Sequence, residues 1–283
     1  VLRAPLQPSK PRITDHSAAC SLVAGNQGVN VNSPLSYIGG KSKLSKNIIG
    51  IIPEHRSYCE VFAGALWVFF RKEPSSYEMI NDLDGNLVTF YRVLQNHLEE
   101  FLKQFKWLLV SHEWWDDWTR QLEAGGLTDI QKAARYYYLQ RLCFGGRVKG
   151  RTWGYSVDHA PRINLFRLEE ELSMVHLRLS KVVIENRNWM DFIKKYDKAT
   201  TFFYIDPPYF NCPFYAHNLY KIDEYKLIAD TLKNLSGKFI LSINDVPEMV
   251  ECFSCFKFKK VSVGYSSGKK RTVGKELIIR NFD

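Results

Sequence analysis

The sequence has no apolar run long enough to span a bilayer, and its N-terminus lacks the charged-then-apolar pattern of a secretory signal. The six cysteines, at positions 20, 59, 143, 212, 252 and 255, lack the spacing of a disulfide framework. Cys252 and Cys255 form a lone Cys-x-x-Cys with no second ligand pair beside it, which leaves a tetrahedral zinc site short of donors. Reduced thiols, no metal and a cytoplasmic setting are therefore expected. Internal repeats and low-complexity tracts are absent. Gly39-Gly40-Lys41 hints at phosphate binding, but the spacing is not that of a P-loop. Acid is nearly missing from one stretch. Between Gln131 and Arg162 seven basic residues face a single acid, Asp158, so this segment supplies +6 of the net charge of +9.

What is present reads as an open α/β protein. Hydrophobic residues make up 45% of 283, enough for one large domain or a domain with an insertion. Residues 1–33, rich in Ser, Pro, Gly and Asn, are expected to be a poorly ordered leader outside the fold. Strands are predicted at 57–62, 76–80, 181–184, 202–205, 238–243, 258–263 and 277–280. Helical patterns lie at 65–72, 86–106, 222–235 and 246–252, and strands alternating with helices argue for a mostly parallel sheet. Residues 107–180 look mainly helical, broken at Ala124-Gly125-Gly126 and at the glycine-rich basic stretch 144–154. The expected organisation is a main domain of 34–106 and 181–283 with 107–180 inserted. The excess of Arg135, Arg141, Arg147, Lys149 and Arg151, interleaved with Tyr136, Tyr137, Tyr138, Trp153 and Tyr155, makes the insertion a candidate nucleic-acid footprint. A solvated basic helix face is the competing account.

The most informative stretch is Asp206-Pro207-Pro208-Tyr209, behind the apolar run 202–205. Proline has no N–H for a sheet ladder, so a buried strand ends here and the chain turns rigidly outward. The ledge carries a carboxylate, a proline carbonyl and an aromatic face. That set suits a planar ring bearing an exocyclic amine. In open α/β sheets ligands sit beyond the carboxyl ends of the strands, where three further features converge. Glu60-Val61-Phe62-Ala63-Gly64-Ala65 is a small-residue turn that lets backbone approach a ligand. Asp82, at the end of the second strand, can accept hydrogen bonds from both hydroxyls of a ribose, with Asp84 the better N-cap for the helix that follows. Tyr37-Ile38-Gly39-Gly40-Lys41 offers a ring face, a flexible turn and a cation.

Taken together, these pieces resemble the adenine-N6 DNA methyltransferases of the Dam-like group, especially phage- and prophage-type members. The resemblance runs from about Pro34 to the C-terminus. It rests on five segments in the family's order: Leu35-Ser36-Tyr37-Ile38-Gly39-Gly40-Lys41, Tyr58-Cys59-Glu60-Val61-Phe62-Ala63-Gly64-Ala65, Asn81-Asp82-Leu83-Asp84-Gly85-Asn86-Leu87, Asp206-Pro207-Pro208-Tyr209 and Phe239-Ile240-Leu241-Ser242-Ile243-Asn244-Asp245. Two departures stand out. Ala63 and Ala65 occupy positions where many relatives carry glycine. Asn188-Trp189 replaces the Asp-Phe or Asp-Trp often placed near the cofactor's adenine.

The resemblance implies a Rossmann-like sheet that binds S-adenosylmethionine. Tyr37, Gly39, Gly40, Lys41, Glu60, Phe62, Ala63, Gly64, Asp82, Asn188, Trp189 and Asp206 would form the cofactor site, with Lys41 toward the methionine portion and Asp82 toward the ribose. Asp206, Pro207, Pro208 and Tyr209 would act on a flipped adenine of duplex DNA held by the basic insertion. A monomer or weak dimer, associated with the nucleoid, would suffice. An N4-cytosine enzyme of the same scaffold usually carries Ser-Pro-Pro-Tyr, so Asp206 favours adenine. An RNA methyltransferase and a catalytically inactive DNA-binding relative remain the alternatives.

Overall fold

A computed structural model describes residues 31–154, 160–219, 221–267 and 270–283. Most of the expected leader, together with Cys20, Tyr155 and Asp158, lies outside the described residues. Of the leader's last residues, Val31 and Ser33 are buried, and Arg71 donates to the Asn32 side chain at 2.9 Å.

Seven strands form one sheet in the order β3-β2-β1-β4-β5-β7-β6. They are β1 Ser57–Glu60, β2 Tyr77–Asn81, β3 Val183–Glu185, β4 Thr201–Ile205, β5 Lys238–Asn244, β6 Lys257–Ser267 and β7 Lys270–Arg280. The first five run parallel. β7 is antiparallel to both β5 and β6 and slots between them. Central parallel strands are covered on both faces and so need continuous apolar sequence. β4 meets that demand, with all of its residues buried.

Alternate side chains along the strands feed two cores. Tyr58, Ile80, Phe202, Tyr204 and Ile240 point to one face, where α2 Trp67–Arg71, α3 Gly85–Asn96, α6 Asp129–Leu142 and α7 Leu168–Leu179 pack. Cys59, Val61, Phe203, Ile205 and Leu241 point to the other, under α8 Trp189–Tyr196, α9 Ile222–Lys233 and α10 Pro247–Cys252. The remaining helices are α1 Ser45–Ile49, α4 Leu98–Lys103 and α5 His112–Ala124. The result is a three-layer Rossmann-like sheet whose order reverses between β1 and β4, the place where such sheets bind ligands. Among the described residues, no helix is long and apolar enough to cross a membrane.

Two sequence expectations are corrected here. The helix predicted over 86–106 is broken at His97, whose backbone (φ −138°, ψ 41°) is not helical, so α3 and α4 are separate. Three of the tyrosines that interleave the basic residues, those of α6, are core. Tyr136, Tyr137 and Tyr138 point in different directions around α6, yet all are buried because α3 and α5 flank that helix. Tyr137 stacks on Phe90 at 5.6 Å, Tyr138 meets Trp118 edge-on at 4.8 Å, and the Tyr136 hydroxyl faces Asp84. None of the three offers a face to a base.

Candidate active site

A cavity of about 400 Å³ opens at the carboxyl ends of β1, β2 and β4. Tyr37, Gly39, Gly40 and Lys41 line one wall. Glu60, Phe62, Ala63 and Gly64 at and just after the end of β1, Asp82 after β2, Asn188 and Trp189 at the start of α8, and Asp206 and Pro208 after β4 also line it. Pro207 and Tyr209 are not among the lining residues; Tyr209 stands beside Lys41, whose ammonium lies 4.7 Å from the ring centroid.

The turn after β1 is held by its neighbours' polar atoms. Gly64 adopts φ +47°, a left-handed conformation that favours glycine. Its N–H donates to Asp82 Oδ2 at 3.0 Å, and its carbonyl accepts from the Tyr91 hydroxyl at 2.8 Å. Asp82 Oδ1 accepts the Asp84 N–H at 2.9 Å, while Asp84 caps α3 through the Asn86 N–H at 3.0 Å. So Asp82 clamps the turn as well as facing the cavity, and each of its oxygens keeps a second lone pair. Burial pushes its carboxyl up to about 6, with the charge of Asp84 adding to the shift. Ala63 and Ala65 are both buried in this turn, their methyl groups packed into the core. Asp82→Ala is expected to weaken cofactor binding by about 1–3 kcal/mol, the usual size for hydrogen bonds to a charged group. Titration calorimetry checks this, and unchanged affinity would reduce Asp82 to a turn clamp.

Glu60 ends β1, and its Oε2 accepts from the Tyr58 hydroxyl at 2.6 Å. Burial pushes it up to about 8, so it is mostly protonated at neutral pH. Asn188 is the N-cap of α8, its oxygen taken by the Met190 N–H at 2.9 Å. That oxygen keeps a second lone pair, as the Asp82 oxygens do, and the amide NH2 remains as a donor.

The Asp206 ledge is pinned from three sides. The Tyr225 hydroxyl donates to the Pro208 carbonyl at 2.9 Å. The Asn244 side chain brackets Phe210, accepting its N–H at 3.1 Å and donating to its carbonyl at 3.2 Å. Lys41 Nζ donates to Asp206 Oδ1 and Oδ2 at 2.6 and 2.8 Å and to the Gly39 carbonyl at 2.8 Å. Ser242 Oγ donates to Asp206 Oδ1 at 3.0 Å, with the Tyr204 hydroxyl 2.8 Å from Ser242. Burial pushes Asp206 up to about 6 against the opposing pull of Lys41. A carboxylate held this way is ionised at neutral pH yet close to its titration range.

The basic candidates of the insertion are spread out. The guanidinium of Arg135 lies over Trp118 and bonds Gln121, on the side of α6 facing α5. Arg141 donates to the Pro34 carbonyl and to that of Arg162. Arg151 lies over Tyr136 and bonds Gln140. Arg147 and Lys149 sit on the turn nearest the cavity. Arg147 lies 4.1 Å from the Phe214 ring centroid, and the Val148 and Lys149 N–H groups both donate to the Phe214 carbonyl. Sequence reasoning missed Trp67, Tyr204 and the cavity-lining segment 215–219. It also missed Ser242 and Glu276, which contact the Asp206–Lys41 pair. Strand alternation could have placed Ser242 beside Asp206. The position of Glu276 depends on β7 entering between β5 and β6, which no local pattern reveals.

Comparison with known proteins gives the family. The chain is 25% identical to the Type II methyltransferase M1.LlaDCHI of Lactococcus lactis subsp. cremoris over 90% of its own length and 96% of that protein's. It is 23% identical to the Type II methyltransferase M.CviBI of Paramecium bursaria Chlorella virus NC1A, over 88% and 98%. It is also 23% identical to a DNA adenine methylase of Vibrio cholerae, over 74% and 78%. Residues 37–266 match the family profile of the D12 class N6 adenine-specific DNA methyltransferases, and that span takes in the turn after β1, Asp82 and the Asp206 ledge: the chain belongs to this family.

Proposed function

We propose that this enzyme methylates adenine N6 in double-stranded DNA, with Asp206, Pro207, Pro208 and Tyr209 as its catalytic ledge. The observation that carries the reading is Asp206: an ionisable carboxylate at the end of β4, on a rigid ledge, opening into the cavity that Gly64 and Asp82 line. The cofactor is S-adenosylmethionine, and the cavity fits it: an acid at the end of β2, a glycine turn with φ +47°, and the aromatic groups of Phe62 and Trp189. When bound, it supplies an electrophilic methyl on a sulfonium centre. Lys41 would serve its methionine portion, Asp82 its ribose, and Asn188 and Trp189 its adenine end.

The protein's own task is to make a poor nucleophile competent. The N6 lone pair is delocalised into the adenine ring. Two acceptors on the amine, Asp206 and the Pro207 carbonyl, draw the nitrogen toward tetrahedral geometry. Rate then comes from positioning and fixed charge, with no covalent enzyme intermediate. N6 is inaccessible inside a duplex, so the base must leave the stack, and Tyr209 would take its face.

Target recognition falls to residues 107–180, with Arg135, Arg141, Arg147, Lys149 and Arg151 as its basic contacts; a monomer or weak dimer acting at the nucleoid suits a single-base pocket. Closeness to the cavity supports Arg147 and Lys149 most. The triple variant Arg147→Ala, Lys149→Ala, Arg151→Ala is expected to weaken DNA binding and to flatten its salt dependence by about one logarithmic unit for each phosphate the protein ceases to neutralise. Loss of a hydrogen bond to a base edge would instead relax preference at one position by about 1–3 kcal/mol. Fluorescence titration of cognate and scrambled duplexes at several salt concentrations separates the two outcomes. The function itself is tested by tritiated methyl transfer to unmethylated duplex DNA, with RNA as comparison and the modified base identified. Label on N6 of adenine in the duplex is expected. Label on cytosine, or on RNA alone, would overturn the reading.

A further inference from the structure

We infer that Glu276 is a positioning residue, the carboxylate onto which Lys41 moves when the target amine takes Asp206. The inference rests on the reading of Asp206 as acceptor for that amine. An ammonium has three N–H groups, and here all three are used, one on the Gly39 carbonyl and two on Asp206. Ser242 adds a further donor to Asp206 Oδ1. Three of the four lone pairs of Asp206 are thereby engaged and Lys41 neutralises its charge, so Asp206 accepts an incoming amine only weakly until Lys41 withdraws. Lys41 is 3% exposed, so the withdrawn ammonium needs another buried anion.

Glu276 supplies it. Its Oε2 lies 3.9 Å from Lys41 Nζ, and its side chain is 1% exposed. A shift of about 1 Å brings that pair to the length of a charge-assisted hydrogen bond. Glu276 is set opposite Asn244 in the β5–β7 register, and Asn244 brackets the ledge through Phe210. The landing point for Lys41 and the ledge it leaves are thus held by one pair of strands. Glu276 stands behind Lys41, outside the residues that line the cavity, so it can act on Asp206 without touching cofactor or base.

The charged and titratable groups around Asp206 are Lys41 from the loop before α1, Glu60 from β1, Tyr204 from β4, Tyr215 from the segment after the ledge, and Glu276 from β7; Ser242 from β5 adds a neutral hydroxyl. Of these, Lys41 holds the Asp206 carboxyl down and Glu276 pushes it up. Removing the Glu276 charge should therefore ease ionisation of Asp206 while leaving Lys41 clamped on it.

The test is the pH–rate profile of the full-length Glu276→Gln enzyme on duplex DNA, with cofactor affinity and melting temperature measured alongside. The expected result is a kcat roughly 10- to 100-fold lower, as for a misplaced reacting group, and an acid limb moved to lower pH. A residue that merely props up the strand would leave the limb in place. Glu276→Asp keeps the charge and should retain the wild-type limb with only part of the lost turnover. Wild-type kcat and limb in Glu276→Gln overturn the inference. Should glutamine not be tolerated at this buried site, Glu276→Asp is read alone, and undiminished turnover with the carboxylate withdrawn by one methylene overturns it. Asp206→Asn separates the two levels: if that variant turns over normally, the acceptor reading itself falls, whereas an inactive Asp206→Asn beside a normal Glu276→Gln removes only the role of Glu276.

Discussion

Asp206→Asn is expected to lower methyl transfer by about two to three orders of magnitude, the loss seen when one preorganised hydrogen-bonding group is removed from a reacting centre. Asparagine keeps the shape of the side chain and replaces the charged acceptor with a neutral amide. The fold should survive, because Lys41 keeps the Gly39 carbonyl at 2.8 Å and Glu276 at 3.9 Å. DNA affinity should change little. A melting curve and a binding titration on the same preparation separate lost chemistry from lost structure. The wild-type enzyme should show the matching pH dependence. Its Asp206 carboxyl is pushed up to about 6, and it must be ionised to accept from the amine. Turnover should therefore fall as pH drops through about 6, and Asp206→Asn should lack that limb. Near-normal turnover in a folded variant would move the chemistry to another group.

The largest expected loss of stability is at Glu78→Ala. Glu78 of β2 is buried between two cations. Lys72 Nζ donates to Oε1 at 2.5 Å, and Arg178 of α7 donates to both oxygens, to Oε1 at 2.9 Å. The lysine side chain is 4% exposed and the arginine 8%. Removing the shared carboxylate leaves two buried charges uncompensated, which costs about 3–5 kcal/mol. Denaturant unfolding checks this, and a loss below about 1 kcal/mol, the size of an exposed pair, would mean that water reaches the site. Burial alone would raise the Glu78 carboxyl, but the hydrogen bonds from Arg178 and the charge of Lys72 outweigh it, so the group lies below its ordinary value. With the folded value depressed, this stabilisation is present above the unfolded value of about 4.3. It is lost as pH falls through the lower folded value.

Much of this molecule was legible in its sequence. Each of the seven strands overlaps a predicted segment, because half-buried and fully buried strands leave distinct apolar patterns between turn residues. The glycine pair after α5 reads correctly for a local reason: Gly125 ends that helix at φ +77°. Longer-range features did not read. The apolar alternation at 258–263 and 277–280 marks only the open end, away from the turn, of a hairpin whose strands run over Lys257–Ser267 and Lys270–Arg280. The Glu78 ion cluster joins positions 100 residues apart, and spacing along the chain carries no sign of it. At the site, Asp82 and Asp206 announce themselves by standing at strand ends. Their partners do not: Lys41 meets Asp206 across 165 residues, and a lysine after two glycines reads equally well as a surface turn. The tyrosines of α6 misled because aromatic residues between cations look alike in sequence whether they face solvent or core.

One contact couples what the sequence kept apart. The Ile38 N–H donates to the Gly146 carbonyl at 2.8 Å, and the Gln140 side chain joins that carbonyl to the one of Ser36. Gly146 sits at φ +66°, and a methyl there would meet the Tyr37 backbone at 2.7 Å. The turn carrying Arg147 and the wall carrying Tyr37 to Lys41 thus form one mechanical part. Anything that grips the turn and shifts it is expected to shift the wall with it. Thermodynamic linkage then demands reciprocity: the factor by which a polyanion on the turn changes affinity in the cavity equals the factor by which occupancy of the cavity changes affinity on the turn.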